Sequence, residues 1–279
     1  MRELGYYNGR IGELSEMTVP MNDRACYFGD GVYDAQLCRN YRLFALDEHV
    51  DRFFNSAKML DIALPLSKDE LKALLNDLVR KLDTGDLFVY YQASRGTAPR
   101  EHAFPDAKAN LWVVISPRKV NEGREPIRLI TIEDTRFLHC NIKTLNLLPS
   151  VIAAEKAKQA GCQECVFYRP GYRVTECAHS NVHILKDGTL FTAPLDNLIL
   201  PGIARAHLIR MCGRMGIPVR EEPYTLDALM SADEIFVTSS GNLIMRALEA
   251  DGKKIGGRDP ETFEKLRAAL LDEFYTATA

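Results

Sequence analysis

Asn141-Ile142-Lys143-Thr144-Leu145-Asn146-Leu147-Leu148-Pro149 sets a single lysine in an otherwise neutral, apolar segment just ahead of a helical pattern. That pattern predicts a helix from about 146 to 160, closed by Gly161, the residue that most readily takes the left-handed conformation at a helix C-terminus. A lysine so placed is partly desolvated, which disfavours its ammonium form and makes the free amine a usable nucleophile toward a carbonyl. The ordinary alternative is a lysine whose stem packs while its head reaches water. The segments on either side decide between the two.

Working outward toward the C-terminus, an apolar strand near 127–132 precedes the lysine, and short strands near 164–169, 181–186 and 189–192 follow it. Val174-Thr175-Glu176-Cys177-Ala178-His179-Ser180-Asn181 leaves a glutamate at a strand end beside small polar residues. Leu200-Pro201-Gly202-Ile203-Ala204 opens a helix that ends near Gly216, and the free N–H groups of a helix start attract anions. The strand 234–238 runs into Ser239-Ser240-Gly241-Asn242, a turn with hydroxyls and a flexible backbone. Asp251-Gly252 marks a late hairpin. Asp259-Pro260 opens a terminal helix with Phe263, Leu266, Leu270 and Phe274 on one face.

Toward the N-terminus, Asn8-Gly9 is a hairpin turn signal. From about Asp47, the residues Val50, Phe53, Phe54, Ala57 and Leu60 recur at helical spacing, with Arg52 between them. Ser67-Lys68-Asp69-Glu70 is a capping box ahead of a leucine-rich helix. Strands at 86–94 and 110–116 flank Arg95 to Pro105, a Gly/Pro loop that brings Arg100 and His102 close together. A guanidinium beside an imidazole is a good receptor for a carboxylate, although a solvated turn with incidental charges has the same look. A polar, turn-rich stretch at 118–126 divides the chain into an N-terminal α/β domain, 1–117, and a C-terminal domain, 127–279, that carries the lysine.

The composition narrows the function. The 279 residues suit two α/β domains of ordinary size, and 35 basic against 38 acidic residues offer no global field for nucleic acid or an anionic membrane. No apolar run of membrane-spanning length and no signal-peptide pattern is present, so the expectation is a cytoplasmic protein with neither nucleic-acid nor membrane partner. Seven scattered cysteines read as reduced thiols. Cys162-Gln163-Glu164-Cys165 has half the spacing of a zinc knuckle and lacks a second pair, so no metal is expected.

A Schiff-base lysine, an acid for a pyridinium nitrogen and a phosphate cup are together what pyridoxal 5′-phosphate asks of a protein. The chain resembles the fold-type IV pyridoxal-phosphate enzymes (aminotransferase class IV), most closely the bacterial D-amino acid (D-alanine) aminotransferases. The resemblance spans about residues 4 to 275 and rests on Tyr27-Phe28-Gly29-Asp30-Gly31-Val32-Tyr33-Asp34, Glu48-His49-Val50-Asp51-Arg52, the 95–105 loop, Ile142 to Leu148, Val174-Thr175-Glu176 and Phe236-Val237-Thr238-Ser239.

That resemblance implies a mixed α/β two-domain fold with the cofactor at the domain interface. By it, Lys143 would form the Schiff base and carry the proton, Glu176 would face the pyridine nitrogen, and Arg52 would hold the phosphate with Ile203, Ala204 and Ser240. Tyr33 and Tyr90 would line the substrate pocket. Arg100 and His102 would reach across from the partner of a homodimer to bind the substrate carboxylate. The implied reaction is amino transfer between a D-amino acid and a 2-oxo acid. Relatives with the same cofactor act as branched-chain L-aminotransferases, aminodeoxychorismate lyases or amine transaminases, and they are not expected to carry the Arg100/His102 pair. A binding protein that kept the fold would be expected to lose Lys143 or Glu176, and both stand. The chain departs from the family's D-specific members at Cys177-Ala178-His179-Ser180, Asp34, Asn141 and Gly241-Asn242, which bears on side-chain preference more than on reaction class.

Overall fold

The computed structural model describes residues 2–279, which form two compact units. The first comprises residues up to Val120 together with Ile142–Asn146 and Tyr275–Ala279; the second comprises Asn121–Asn141 and Leu147–Phe274. The chain therefore crosses between units more than once. Lys143, expected in the C-terminal half, packs with the N-terminal unit because its short segment is bonded to that unit's central strand, as described below.

In the first unit, β1 (Leu4–Tyr7) and β2 (Arg10–Glu13) form a hairpin about Asn8-Gly9, followed by the short helix α1 (Arg24–Phe28). Then come β3 (Gly31–Arg39), β4 (Arg42–Leu43), α2 (Leu46–Met59), α3 (Lys68–Val79), β5 (Leu87–Ser94) and β6 (Asn110–Pro117). The six strands form one sheet in the order β2-β1-β6-β5-β3-β4. Both side chains of the expected capping box on α3 are engaged, Ser67 and Glu70 each closing on the other's backbone. α2 buries Val50, Phe53 and Ala57 on the sheet, where Phe53 meets Tyr91 edge to face at 5.0 Å. Asp34 and Gln36 ride on the same buried face of β3, and Tyr91 lies opposite Asp34 across the strands, so polar groups are embedded in this core.

The second unit begins with β7 (Ile127–Glu133) and α4 (Leu148–Gln159). It continues through β8 (Glu164–Arg169), β9 (Arg173–Cys177), β10 (Asn181–Lys186), β11 (Thr189–Thr192), α5 (Ile203–Arg214), β12 (Val219–Glu221) and α6 (Leu226–Met230). β13 (Glu234–Ser239), β14 (Leu243–Ala250), β15 (Lys253–Lys254) and α7 (Pro260–Ala277) complete it, the last residues of α7 belonging to the first unit. Its nine strands are ordered β12-β11-β10-β13-β14-β7-β8-β9, with β15 added to β14. Two apolar clusters fill it, one containing Val182, Ile235 and Val237, the other joining Leu208 and Met211 of α5 to Phe263 and Leu266 of α7.

Candidate active site

In the first unit, β3 and α2 frame a buried charge cluster. Arg52 gives its Nε to Asp34 Oδ2 and its Nη2 to Asp34 Oδ1, both at 2.8 Å, the two-pronged geometry that best joins guanidinium and carboxylate. His49 Nδ1 lies 2.7 Å from the same Asp34 Oδ1. Burial pushes the Asp34 carboxyl up, but the Arg52 guanidinium and His49 outweigh it and hold that carboxyl well below the usual range. Burial pushes His49 down despite Asp34, and the charges of Arg52 and Lys143 add to the fall. A fixed, neutralised arginine thus sits under β3.

Lys143 is delivered to the same neighbourhood by backbone bonds. Tyr33 N donates to Lys143 O at 3.0 Å and Leu145 N to Gly31 O at 3.1 Å, while Thr144 bridges Val32. Lys143 N donates to Ser56 Oγ at 3.2 Å, one helical turn beyond Arg52 on α2. The lysine is half-buried, as its neutral flanks predict, and its Nζ lies 4.4 Å from the Tyr33 ring centroid. Tyr33 stacks on Tyr90 at 5.4 Å, and Tyr90 donates its hydroxyl to Gln92 Oε1 at 2.5 Å. Burial, and then Tyr33, push the Tyr90 phenol well above its ordinary value, so it remains a neutral donor. Arg52, Lys143, Tyr33 and Tyr90 are therefore brought together.

Arg100 and His102 are exposed on their loop and share the ring of Phe28, at 5.3 Å from the guanidinium and 5.3 Å from the imidazole. The pair expected from the sequence is thus held as a pair.

Glu176, Ile203, Ala204 and Ser240 stand in the second unit. Glu176, at the end of β9, accepts from Arg136 Nη1 at 2.5 Å on one oxygen and from Asn181 Nδ2 at 3.1 Å and Leu200 N at 2.9 Å on the other. Arg136 is clamped in turn by Asp134 through Nε at 3.0 Å and Nη2 at 2.9 Å. Burial would lower Arg136, but Asp134 and Glu176 raise it well above its ordinary value, so the glutamate faces a permanent cation. Gly202 caps α5 without a side chain; a Cβ there would lie 2.0 Å from Asn181 Oδ1, so the turn requires glycine. Asn181 also pairs with Thr238 across β10 and β13, which brings the Ser239-Ser240 turn, the α5 start and Glu176 to one end of the sheet.

Arg136 and the stabilising roles of Asp34 and His49 escaped sequence reading. Arg136 lies in an unpatterned loop and its partner is forty residues away, so only the fold joins them. The 177–180 turn is tied down by Glu164, which accepts from Ala178 N at 3.2 Å and Ser180 Oγ at 2.6 Å, while His179 is mostly exposed with Nδ1 2.9 Å from Glu164. His183, buried between Thr192 and Thr238, is a packing residue, as expected. Among the described residues no cluster suited to a metal is present, and no helix is long and apolar enough to cross a membrane.

The model of the amino-transferase class IV family matches residues 31–250. A D-alanine aminotransferase of Listeria monocytogenes serotype 4b (strain F2365) is 40% identical over 97% of this chain and 96% of its own. One from Bacillus licheniformis is 37% identical over 98% of each. Among solved structures, a branched-chain amino acid aminotransferase complexed with N-(5′-phosphopyridoxyl)-L-glutamate, its source given as T.th., is 26% identical, with a TM-score of 0.88 over 99% of this chain and 94% of that one. The Escherichia coli branched-chain enzyme, 24% identical, shares the fold with a TM-score of 0.91 over 100% of this chain and 96% of that one. Fold and matched residues define the class: the chain belongs to the class IV aminotransferases. It is an aminotransferase, and its cofactor is pyridoxal 5′-phosphate.

The residues present fit that group. A half-buried amine, a carboxylate with three donors already fixing it, a paired buried guanidinium and a side-chain-free helix start are the donor set a phosphorylated pyridine aldehyde requires.

Proposed function

We propose that this aminotransferase moves an amino group between a D-amino acid, of the D-alanine or D-glutamate type, and a 2-oxo acid such as pyruvate or 2-oxoglutarate. The observation that carries the reading is the Arg100/His102 pair on the Phe28 ring, a ready receptor for a substrate carboxylate. The D-alanine aminotransferases at 37–41% identity support the same substrate class.

The cofactor, when bound, supplies an electron sink for the carbanion at the substrate Cα. Lys143 Nζ holds and moves the Cα proton, from a position over the Tyr33 ring that limits where it can reach. Arg52, with Ile203 N, Ala204 N and Ser240, binds phosphate; Asp34 keeps Arg52 from shifting, since both its oxygens are taken up by that guanidinium. Glu176, oriented by Arg136, Asn181 and Leu200 N, presents its carboxylate to the pyridine nitrogen. Tyr33 and Tyr90 form the aromatic wall of the substrate pocket.

In this reading the active form is a homodimer in which the Arg100/His102 loop completes the partner's site. Exposed Leu148, Val151 and Ile152, spaced to share a face of α4, are apolar surface of the kind a second copy covers. Seven free cysteines support residence in a reducing, cytoplasmic compartment. A coupled assay with 2-oxoglutarate tests the substrate class: D-alanine is expected to donate, and transfer from L-leucine alone would contradict it.

A further inference from the structure

The exposed carboxylate receptor is built on an unexposed foundation, and that foundation assigns roles to two residues outside the expected site. Arg24, at the start of α1, is 3% exposed. It gives Nε to Asp30 Oδ2 at 2.7 Å and points Nη1 at Glu101 O, 2.6 Å away, with Ala103 O at 3.4 Å and His102 O within 3.5 Å of Nη2. A single guanidinium thus gathers three successive carbonyls of the loop that carries Arg100 and His102. Asp30 is shared with Arg95, whose own guanidinium carbon lies 3.5 Å from the Phe104 ring centroid at the loop's far side.

α1 itself is fastened at both ends. Asp23 caps it through Ala25 N at 2.8 Å and also accepts from Ser94 Oγ at 2.9 Å and Asn110 Nδ2 at 2.7 Å on the neighbouring strands. Gly29, at φ 61°, closes it. Phe28, its last residue, therefore has a fixed backbone, and its ring lies against Arg24 at 4.9 Å as well as against Arg100 and His102. An exposed arginine on a free loop would lose much rotamer freedom on gripping a carboxylate; one already resting on an aromatic face loses less.

Resting on the reading of Arg100 and His102 given above, we propose that Phe28 and Arg24 are positioning residues for substrate carboxylate recognition: Arg24 fixes the loop backbone, and Phe28 sets the spacing of guanidinium and imidazole. Neither touches the substrate. Their effect is on the affinity of anything that carries a carboxylate.

The test uses purified holoenzyme and two readouts, the KM for D-alanine and the dissociation constant of propionate, a carboxylate without an amino group, from its perturbation of the visible absorbance. Phe28→Leu is expected to raise both by about three- to fivefold, the scale of a lost cation–π contact, with kcat changed less than about twofold. Phe28→Tyr should restore both. In an Arg100→Ala background Phe28→Leu should add nothing, because the group it positions is gone. Arg24→Lys, which keeps the charge and loses the fork, should act in the same direction; should it fail to fold, the Phe28 series still decides. If Arg100→Ala raises both constants while Phe28→Leu leaves them unchanged, or if Phe28→Leu acts equally with and without Arg100, the positioning role is overturned and the substrate reading stands. If Arg100→Ala itself changes neither constant, the reading of the carboxylate receptor falls, and the positioning role with it.

Discussion

Arg52 and Arg100 are both arginines assigned to anions, and the molecule treats them in opposite ways. Arg52 is 7% exposed, locked two-pronged to Asp34 and backed by His49. Arg100 is exposed and rests on one aromatic ring. A group that must hold a cofactor through every turnover gains from a fixed, fully paired charge. A group that must take and release a substrate gains from exposure, provided its loop is already shaped. The first kind of site draws on the core's stability, and the second does not.

The comparison breaks first at the chemistry. Lys143→Ala should abolish amino transfer, below about one thousandth of the parent rate as expected when a covalent and proton-moving group is lost, while single-turnover proton exchange at Cα falls with it. A variant that retained such exchange would remove the lysine from its role.

The next largest effect falls on Asp34→Asn, which leaves Arg52 as an unpaired buried cation. Removing one partner of a buried pair costs about 3–5 kcal/mol, readable as a lower denaturant midpoint, together with weaker cofactor retention on dialysis. Arg100→Ala sharpens the contrast from the other side. It should raise the KM for D-alanine by roughly ten- to a hundredfold, the worth of charged hydrogen bonds, with denaturant midpoint and the visible absorbance of bound cofactor unchanged. Loss of cofactor in that variant would mean that the two arginines do not divide their tasks.

A smaller effect concerns His183 in the second unit, buried and pushed down to about 3, first by burial and then by Arg205. The unfolded chain takes up that proton near 6.5 while the folded one resists, so the stability His183 contributes is full above that pH and is lost as pH falls toward about 3. His183→Gln should flatten the acid limb of a stability–pH curve over that window. An unchanged limb would mean that the ring is already charged in the fold.

Much of this could be read in advance where local rules act alone. The capping box at Ser67, the Asn8-Gly9 hairpin, the helix ended by Gly161 and the apolar face of α7 depend on neighbours a few residues apart, and they stand as the spacing predicts. β3 gave no pattern, because Asp34 and Gln36 place polar side chains where a buried strand would show apolar ones. The grouping of Lys143 with the first unit was likewise hidden, since it depends on Tyr33, Val32 and Ser56, about ninety or more residues distant. Arg136 and Arg24 share that character: each acts through partners far along the chain, so neither has a local signature. Residue types at the candidate site were legible, and the charges that fix them were not.

The central claim, that the exposed receptor and the lysine together act on D-amino acids, is tested most directly by the fate of the Cα hydrogen. With purified holoenzyme and no 2-oxo acid, D-alanine deuterated at Cα should lose its label to solvent while L-alanine keeps it. Loss from L-alanine with retention in D-alanine would contradict the account.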